Sequence, residues 1–227
     1  MKFIPPLKVK AVMIDLDGTL LDTIPDLAAA ANNMLIEMGR APLPTERIRN
    51  FVGKGIANLI ERSLTDDMNG KPDQASFDKA VPIYERCYHA ANGKHTTMYA
   101  GVLEGLNAMR ARGLPLACVT NKAERFTLPL LDYMKMSQYF VTVVAGDTLP
   151  QRKPDPAPLL HACKIMKVEP KDMLMIGDSL NDTQAARAAG CPVFCVNYGY
   201  NEGHDVRELD VDAIVASLEE ANRLISK

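Results

Sequence analysis

Residues 9–21 constrain the fold of this chain more than any other stretch. An apolar run reaches Ile14 and then stops, and the positions that follow include Asp15, Asp17 and Thr19. A continuous apolar run of this length predicts a strand buried on both faces of a parallel sheet. Two carboxylates beside such a strand would be costly to desolvate without a partner or ligand. We therefore expect them to surround one small polar site, although an isolated Asp-x-Asp could also be a turn that caps the next helix.

The rest of the chain divides into two patterns. Residues 22–92 read as helical throughout, with helices predicted at 22–39, 45–50, 56–64 and 73–92. After residue 93, strands predicted at 114–119, 140–144, 173–176, 192–196 and 213–215 alternate with helices at 102–112, 123–136, 157–167, 181–189 and from 217. This alternation predicts an α/β fold, a Rossmann-like parallel sheet with helices on both faces. Residues 1–21 and 93–227 would form that domain, and 22–92 an inserted helical one.

Polar side chains follow several of the predicted strands. They are Asp15 with Asp17, Thr120 with Asn121, Asp147, and Asp178, and Lys153 and Asp182 come shortly after two of the later strands. Ligands bind beyond the carboxyl ends of strands in open α/β sheets. Each residue alone has a structural explanation, such as capping a helix. Their joint position at one sheet edge predicts a functional site.

The string Asp-Leu-Asp-Gly-Thr-Leu at 15–20 resembles the first motif of the haloacid dehalogenase superfamily, most of whose members are magnesium-dependent phosphatases. The resemblance implies that Asp15 is the nucleophile and Asp17 the general acid/base, which also gives its backbone carbonyl to Mg²⁺. It further implies that Asp178 binds the metal. Three more residues match the later motifs: Thr120 and Lys153 as phosphate-binding groups, and Asp182 as support for the metal site. The helical block 22–92 would be the family's cap domain.

The chemistry that the resemblance implies suits these residue types. Three carboxylates supply the hard oxygen ligands that Mg²⁺ prefers, giving a predicted metal set of Asp15, Asp17 and Asp178. Lys153 and the Thr120 hydroxyl would hold phosphoryl oxygens, whose charge is stabilised by fixed cations and donors. A carboxylate nucleophile forms a covalent intermediate, here an aspartyl-phosphate. The acid/base would protonate the leaving alcohol and then activate water.

Several further stretches resemble bacterial phosphoglycolate phosphatases, including Val52-Gly53-Lys54-Gly55, Val119-Thr120-Asn121-Lys122 and Tyr198-Gly199-Tyr200. This finer resemblance implies hydrolysis of 2-phosphoglycolate, with Asn121 among the substrate-binding residues. We expect Gly53 and Lys54 to meet the substrate carboxylate, because the glycines allow close approach and the next helix offers free N–H groups. Lys54 could equally be an exposed turn residue.

Other functions stay open at this point. They are hydrolysis of a sugar phosphate or pyrophosphate, a phosphosugar mutase, and a non-enzymatic phosphate-sensing or protein-binding domain. A dehalogenase is disfavoured because Asp17 supplies an acid that a carbon–halogen bond does not need. The intact set of candidate residues argues against the non-enzymatic function.

The composition of the chain indicates which partners it can have and in which compartment it works. The formal net charge of −2, without a dense basic run, argues against a nucleic-acid partner, and no stretch reaches the ~20 apolar residues of a membrane span. The five cysteines, an odd number without a C-x-x-C pair, fit a reducing compartment. Residues 1–10 lack the long apolar segment of a signal peptide. We therefore expect a cytoplasmic monomer or homodimer that acts on a small phosphate ester.

Overall fold

The computed structural model describes residues 5–227, so the first four residues of the segment 1–10 lie outside the described part. The strands are β1 (Leu7–Lys8), β2 (Ala11–Ile14), β3 (Leu21–Asp22), β4 (Thr97–Met98), β5 (Leu116–Val119), β6 (Thr142–Val144), β7 (Met173–Gly177), β8 (Val193–Val196), β9 (Ala213–Val215) and β10 (Ile225–Ser226). The α-helices are α1 (Ile24–Glu37), α2 (Thr45–Phe51), α3 (Ile56–Thr65), α4 (Gln74–Ala91), α5 (Val102–Ala111), α6 (Glu124–Tyr133), α7 (Ala157–Met166), α8 (Leu180–Ala189) and α9 (Leu218–Arg223). Short 3₁₀ helices lie at Ser137–Tyr139, Pro170–Asp172, Asn201–Gly203 and Val206–Glu208.

A six-stranded sheet with the order β6-β5-β2-β7-β8-β9 organises the molecule. All five neighbouring pairs are parallel. The chain runs outward from β2 through β5 and β6, then returns to the other side of β2 for β7, β8 and β9. The strand order therefore reverses at β2, and a crevice opens there beyond its carboxyl end.

Alternate residues of the strands face two different hydrophobic layers, because successive side chains of a strand point to opposite faces. Val12 and Ile14 pack in a cluster with residues of α5 and α9. Ala11 and Met13 pack in another with residues of α7 and α8. Burial on both faces explains why β2 reads as a continuous apolar run. The predicted α/β fold with a parallel sheet and helices on both faces is confirmed.

Helices α1 to α4 share a third hydrophobic cluster, which includes Met34, Phe51, Ile60 and Tyr84. Phe126 is one of the residues outside these helices that joins it. A separate apolar cluster supports a division into a cap, 22–92, and a core, 1–21 and 93–227, and that division stays a prediction. Within residues 5–227, no helix combines the length and the hydropathy that a membrane span needs.

Some predicted boundaries were wrong. The first sheet strand begins at Ala11 rather than at residue 9, because the N–H of Val9 donates to Ser226 O at 2.8 Å and continues the β1–β10 pairing. The helical block does not begin at Asp22, because β3 pairs antiparallel with β4. This two-stranded ribbon joins the two chain segments that connect α1–α4 to the sheet. Helix α6 ends at Tyr133 rather than near 136, with Lys135 at φ 56°.

Candidate active site

The candidate nucleophile, Asp15, lies directly after β2 at the carboxyl edge of the sheet. Its N–H donates to Ile176 O at 2.9 Å, so two central strands fix its backbone. The residue is only 9% exposed. Lys153 Nζ lies 2.9 Å from Asp15 Oδ1, but the alignment is not that of a hydrogen bond, and this oxygen has no hydrogen-bond partner among the described residues.

Lys153 is held at the same edge by buried oxygen atoms. Its Nζ donates to Val119 O and to Asp182 Oδ1, both at 2.7 Å. Burial lowers the pKa of Lys153, but Asp15 and Asp182 raise it more, so that the net pKa lies above its usual range. The ammonium group therefore keeps its charge beside the candidate nucleophile.

Asp182 supports its neighbours and does not offer a free carboxylate. Its Oδ1 is occupied by Lys153, and its Oδ2 accepts from the N–H and the hydroxyl of Ser179 at 3.1 and 2.8 Å. Ser179 and Asp182 form a capping box at the start of α8. The N–H of Asp178 also points to Asp182 Oδ2 at 3.3 Å. Asp182 thus holds both Lys153, the predicted phosphate-binding residue, and the predicted metal ligand Asp178.

Asp178 follows β7 and is 2% exposed. Its Oδ2 accepts from the N–H of Tyr200 at 2.7 Å, and its Oδ1 accepts from the Thr19 hydroxyl at 3.1 Å. Two glycines pack against this side chain. A Cβ atom added to Gly18 would lie 2.4 Å from Asp178 Oδ2, and one added to Gly199 would lie 2.1 Å from Asp178 Cβ. The carboxyl group therefore occupies space that only glycines leave free.

The carboxyl groups at this edge are short of positive charge. Burial and the neighbouring Asp182 raise the pKa of Asp15 to about 7, although Lys153 opposes the shift. Burial, Asp182 and Asp15 raise the pKa of Asp178 well above its usual range. Each ionised carboxyl group makes ionisation of the next more costly, so a cation at this position would stabilise all of them in the charged form.

The donor set fits a magnesium ion. Asp15, Asp178 and Asp182 each present a carboxylate oxygen within 4.8 Å of the others, and these are hard oxygen ligands. Among the described residues, Asp15 Oδ1 is paired with Lys153 but accepts no hydrogen bond, so it can still take a ligand. Asp15 and Asp178 would hold the ion, whereas Asp182 already has its partners. The Asp17 side chain points elsewhere, so Asp17 could reach the ion only through its backbone carbonyl, as the family resemblance implies.

The candidate acid/base, Asp17, is held by two groups outside its own motif. Thr23, which precedes α1, donates its hydroxyl to Asp17 Oδ1 at 2.8 Å. Lys122 Nζ lies 3.0 and 3.1 Å from the two Asp17 oxygens. It also lies 4.8 Å from the centre of the Tyr88 ring, a cation–π contact with α4. Lys122 was not among the predicted site residues, although it stands next to the predicted pair Thr120 and Asn121.

The remaining predicted residues of this edge have distinct partners. The Thr120 hydroxyl accepts from the N–H of Lys122 at 3.2 Å, which leaves its own proton free for a ligand. Asn121 donates to Lys153 O at 2.8 Å and to Gly53 O at 3.1 Å. Asn181 donates to Gly53 O as well, at 3.3 Å. The loop before α3 is thus fastened over the sheet edge by two amide groups.

The structure does not bring Lys54 to this site. Its side chain is 46% exposed, and its Nζ lies 3.8 Å from Glu202 Oε2. It lines a separate depression with Pro154, Leu180 and Gln184, whereas Gly53 and Gly55 face the main pocket. Asp147 is also apart from the site, because its carboxylate accepts from the N–H of Glu124 at the start of α6. Sequence order alone could not show which residue of the cap loop turns inward.

One pocket joins the candidate residues at the edge of the sheet to the helical block. Asp15, Asp17, Thr120, Asn121, Lys153 and Asp178 all line it. The cap side contributes mainly apolar groups, which are Leu27, Val52, Ile56, Leu59 and Tyr88. Among the described residues, Lys122 and Lys153 are the cations in its lining. The arrangement can bind a small anion on the sheet and exclude water with the helices.

Comparison with known proteins identifies the family. Residues 12–196 match the family described as haloacid dehalogenase-like hydrolase. The chain belongs to this family. It is 63% identical over 222 residues to a phosphoglycolate phosphatase of Nitrosospira multiformis and 54% identical over 222 residues to one of Thiobacillus denitrificans, with 98% of each chain covered in both cases. A crystal structure from Haemophilus somnus, described as that of a predicted phosphoglycolate phosphatase, is similar with a TM-score of 0.88 and 30% identity, covering 94% of this chain and 96% of the other.

Proposed function

We propose that this chain is a magnesium-dependent phosphatase that hydrolyses 2-phosphoglycolate to glycolate and phosphate through an aspartyl-phosphate on Asp15. The proposal depends above all on one arrangement: Asp15 lies at the end of β2, 2.9 Å from Lys153 Nζ and beside Asp178. Support for the substrate comes from the two bacterial relatives named phosphoglycolate phosphatase, which match nearly the whole chain.

The first half-reaction transfers the phosphoryl group to the protein. An Asp15 oxygen attacks phosphorus, a new P–O bond forms, and the bond to the alcohol oxygen breaks. Asp17 gives a proton to that oxygen, so glycolate leaves as a neutral alcohol at its hydroxyl end. Lys153 and the Thr120 hydroxyl bind the non-bridging oxygens, where negative charge accumulates in the transition state.

The second half-reaction regenerates Asp15. Asp17, now a carboxylate, takes a proton from a water molecule as that water attacks phosphorus, and the P–O bond to Asp15 breaks. Bound magnesium would supply positive charge to a phosphoryl oxygen and to the carboxylates that hold it. The apolar side chains of the cap exclude other water molecules while the loop at Gly53 covers the site.

The proposal also covers the substrate class, the cellular location and the oligomeric state of the protein. The substrate is a small phosphate ester that fits under the cap. A cytoplasmic location agrees with the five free cysteines, four of which are buried. We keep a monomer or homodimer without nucleic-acid or membrane partners as the expected state.

A panel of phosphate esters tests the function. Phosphate release would be measured with 2-phosphoglycolate, glucose 1-phosphate, glucose 6-phosphate and pyrophosphate, with Asp15→Asn as the inactive control. We expect the highest kcat/KM for 2-phosphoglycolate, and no release above the control without a divalent ion. A higher kcat/KM for a sugar phosphate or pyrophosphate would contradict the substrate assignment. Interconversion of sugar phosphates without net phosphate release would indicate a mutase.

A further inference from the structure

We propose that Lys122 is the residue that binds the carboxylate of the substrate and so determines selectivity for it. The inference rests on the proposed function, because it names the group that recognises the non-reacting end of 2-phosphoglycolate. It replaces the prediction that Lys54 has this role. Three observations carry it: the cations available in the pocket, their partners, and their distance from the reacting bond.

The phosphate-binding groups balance the charge of the phosphoryl group of the substrate but not the charge of its carboxylate. Its phosphoryl group faces Lys153, Thr120 and the metal-binding carboxylates, and its carboxylate needs a further cation. Lys153 is held at the phosphoryl end of the site by its contacts with Asp15, Asp182 and a backbone carbonyl. Lys54 lies outside the pocket lining. Among the described residues that line the pocket, only Lys122 offers a second cation.

Lys122 can bind an anion in addition to Asp17. An ammonium group has three donors. Two of them are directed at the Asp17 oxygens, and the ring of Tyr88 lies beside the group at 4.8 Å. The residue is 5% exposed, so a contact made there is screened little by water. Its backbone is fixed, because its carbonyl accepts from the N–H of Gly146 at 2.8 Å.

The distances suit a substrate as short as 2-phosphoglycolate. Asp17 must come within about 3 Å of the ester oxygen to protonate it, and Lys122 Nζ is 3.0 Å from Asp17. The substrate carboxylate is joined to the ester oxygen by one CH₂ group. Its carbon therefore lies about 2.5 Å from that oxygen, because each bond is about 1.5 Å long. Because the substrate is so short, its carboxylate must lie close to Asp17, and Lys122 is the cation next to Asp17.

The test compares two esters of equal length in Lys122→Met and Lys122→Gln. One ester is 2-phosphoglycolate, and the other is 2-hydroxyethyl phosphate, which has a neutral end. We expect kcat/KM for 2-phosphoglycolate to fall at least tenfold more than kcat/KM for 2-hydroxyethyl phosphate in both variants. Lys71→Met, at an exposed lysine paired with Glu61 on the cap, is the matched control and should leave the ratio unchanged. Melting temperatures of all variants verify that they are folded.

A binding measurement separates recognition of the carboxylate from placement of Asp17. Calorimetry with Mg²⁺ would compare Asp15→Asn with Asp15→Asn/Lys122→Met for both esters. We expect the second substitution to weaken binding of 2-phosphoglycolate at least tenfold and binding of 2-hydroxyethyl phosphate less than threefold. Equal losses for the two esters would overturn the inference and leave Lys122 as a positioning residue for Asp17. A changed ratio in Lys54→Met, but not in the Lys122 variants, would overturn it too. Failure of the unsubstituted protein to hydrolyse 2-phosphoglycolate would instead overturn the proposed function, and the inference with it.

Discussion

Alanine substitutions at three glycines can separate two effects on stability, which are backbone strain and crowding of the Asp178 side chain. Gly18 has φ +85°, and a Cβ atom there would also meet the Asp178 carboxylate at 2.4 Å. Gly199 has no positive φ, but a Cβ atom would lie 2.1 Å from Asp178 Cβ. Gly39 has φ +73° with nothing within 4 Å of an added Cβ atom. Alanine at Gly39 thus introduces strain alone, at Gly199 crowding alone, and at Gly18 both.

The expected losses of unfolding free energy follow from these contacts. Strain in the left-handed region costs about 1–2 kcal/mol, and overpacking of a rigid site costs about 1–3 kcal/mol. Gly39→Ala should therefore lose about 1–2 kcal/mol, Gly199→Ala about 1–3 kcal/mol, and Gly18→Ala about 2–5 kcal/mol. These figures leave out the stiffer unfolded chain, which offsets about 0.4–1 kcal/mol of the loss in all three variants alike. The Asp178 side chain cannot move away from an added Cβ atom without cost, because Tyr200 and Thr19 donate hydrogen bonds to its two oxygens.

The assay has two readouts. Urea unfolding gives the free energies, and phosphate release at graded Mg²⁺ concentrations gives the ion concentration for half-maximal activity. We expect Gly18→Ala and Gly199→Ala to raise that concentration, because Asp178 moves away from the position where it would hold the ion. Gly39→Ala should leave it unchanged. An unchanged requirement in Gly199→Ala, or an equal rise in Gly39→Ala, would refute the role given to this packing.

Three further predictions concern the nucleophile, the metal and pH. Asp15→Asn should fold normally but lose turnover in a phosphate-release assay, since an amide cannot form the aspartyl-phosphate; residual turnover in protein free of contamination and deamidation would contradict this. A chelator should abolish activity and added Mg²⁺ should restore it, while Asp178→Ala should need much more of the ion; full activity in excess chelator would exclude the metal. The pKa of Asp15 lies at about 7 in the folded protein, above its ordinary 3.8. Between these values the metal-free folded state holds a proton that the unfolded state has lost, so this group lowers the unfolding free energy as pH rises. Mg²⁺ affinity, measured by calorimetry, should rise over the same range, and a constant affinity would contradict the assignment of Asp15 as a ligand.

The sequence was sufficient to predict the sheet and to place the candidate residues at one edge of it. A strand buried on both faces must be apolar at every position, so the run before Asp15 identified β2, and the alternation of elements then placed the other strand ends beside it. Side-chain direction within loops was harder to predict. Gly53 and Lys54 are neighbours, yet one faces the pocket and the other pairs with Glu202 at its outer side. No periodicity exists in a loop that could distinguish them.

The position of the Asp17 side chain, the candidate acid, depends on residues outside the motif at 15–20. Thr23, one of its partners, belongs to the connection into the helical block, and its N–H donates to the Tyr200 hydroxyl at 2.8 Å. The N–H of Tyr200 in turn binds Asp178. Thus the predicted metal ligand, the start of α1 and the candidate acid are joined by one chain of hydrogen bonds. A movement of α1 against the sheet must alter the contacts of Asp17, so the position of the helical block and the placement of the candidate acid are coupled through Thr23.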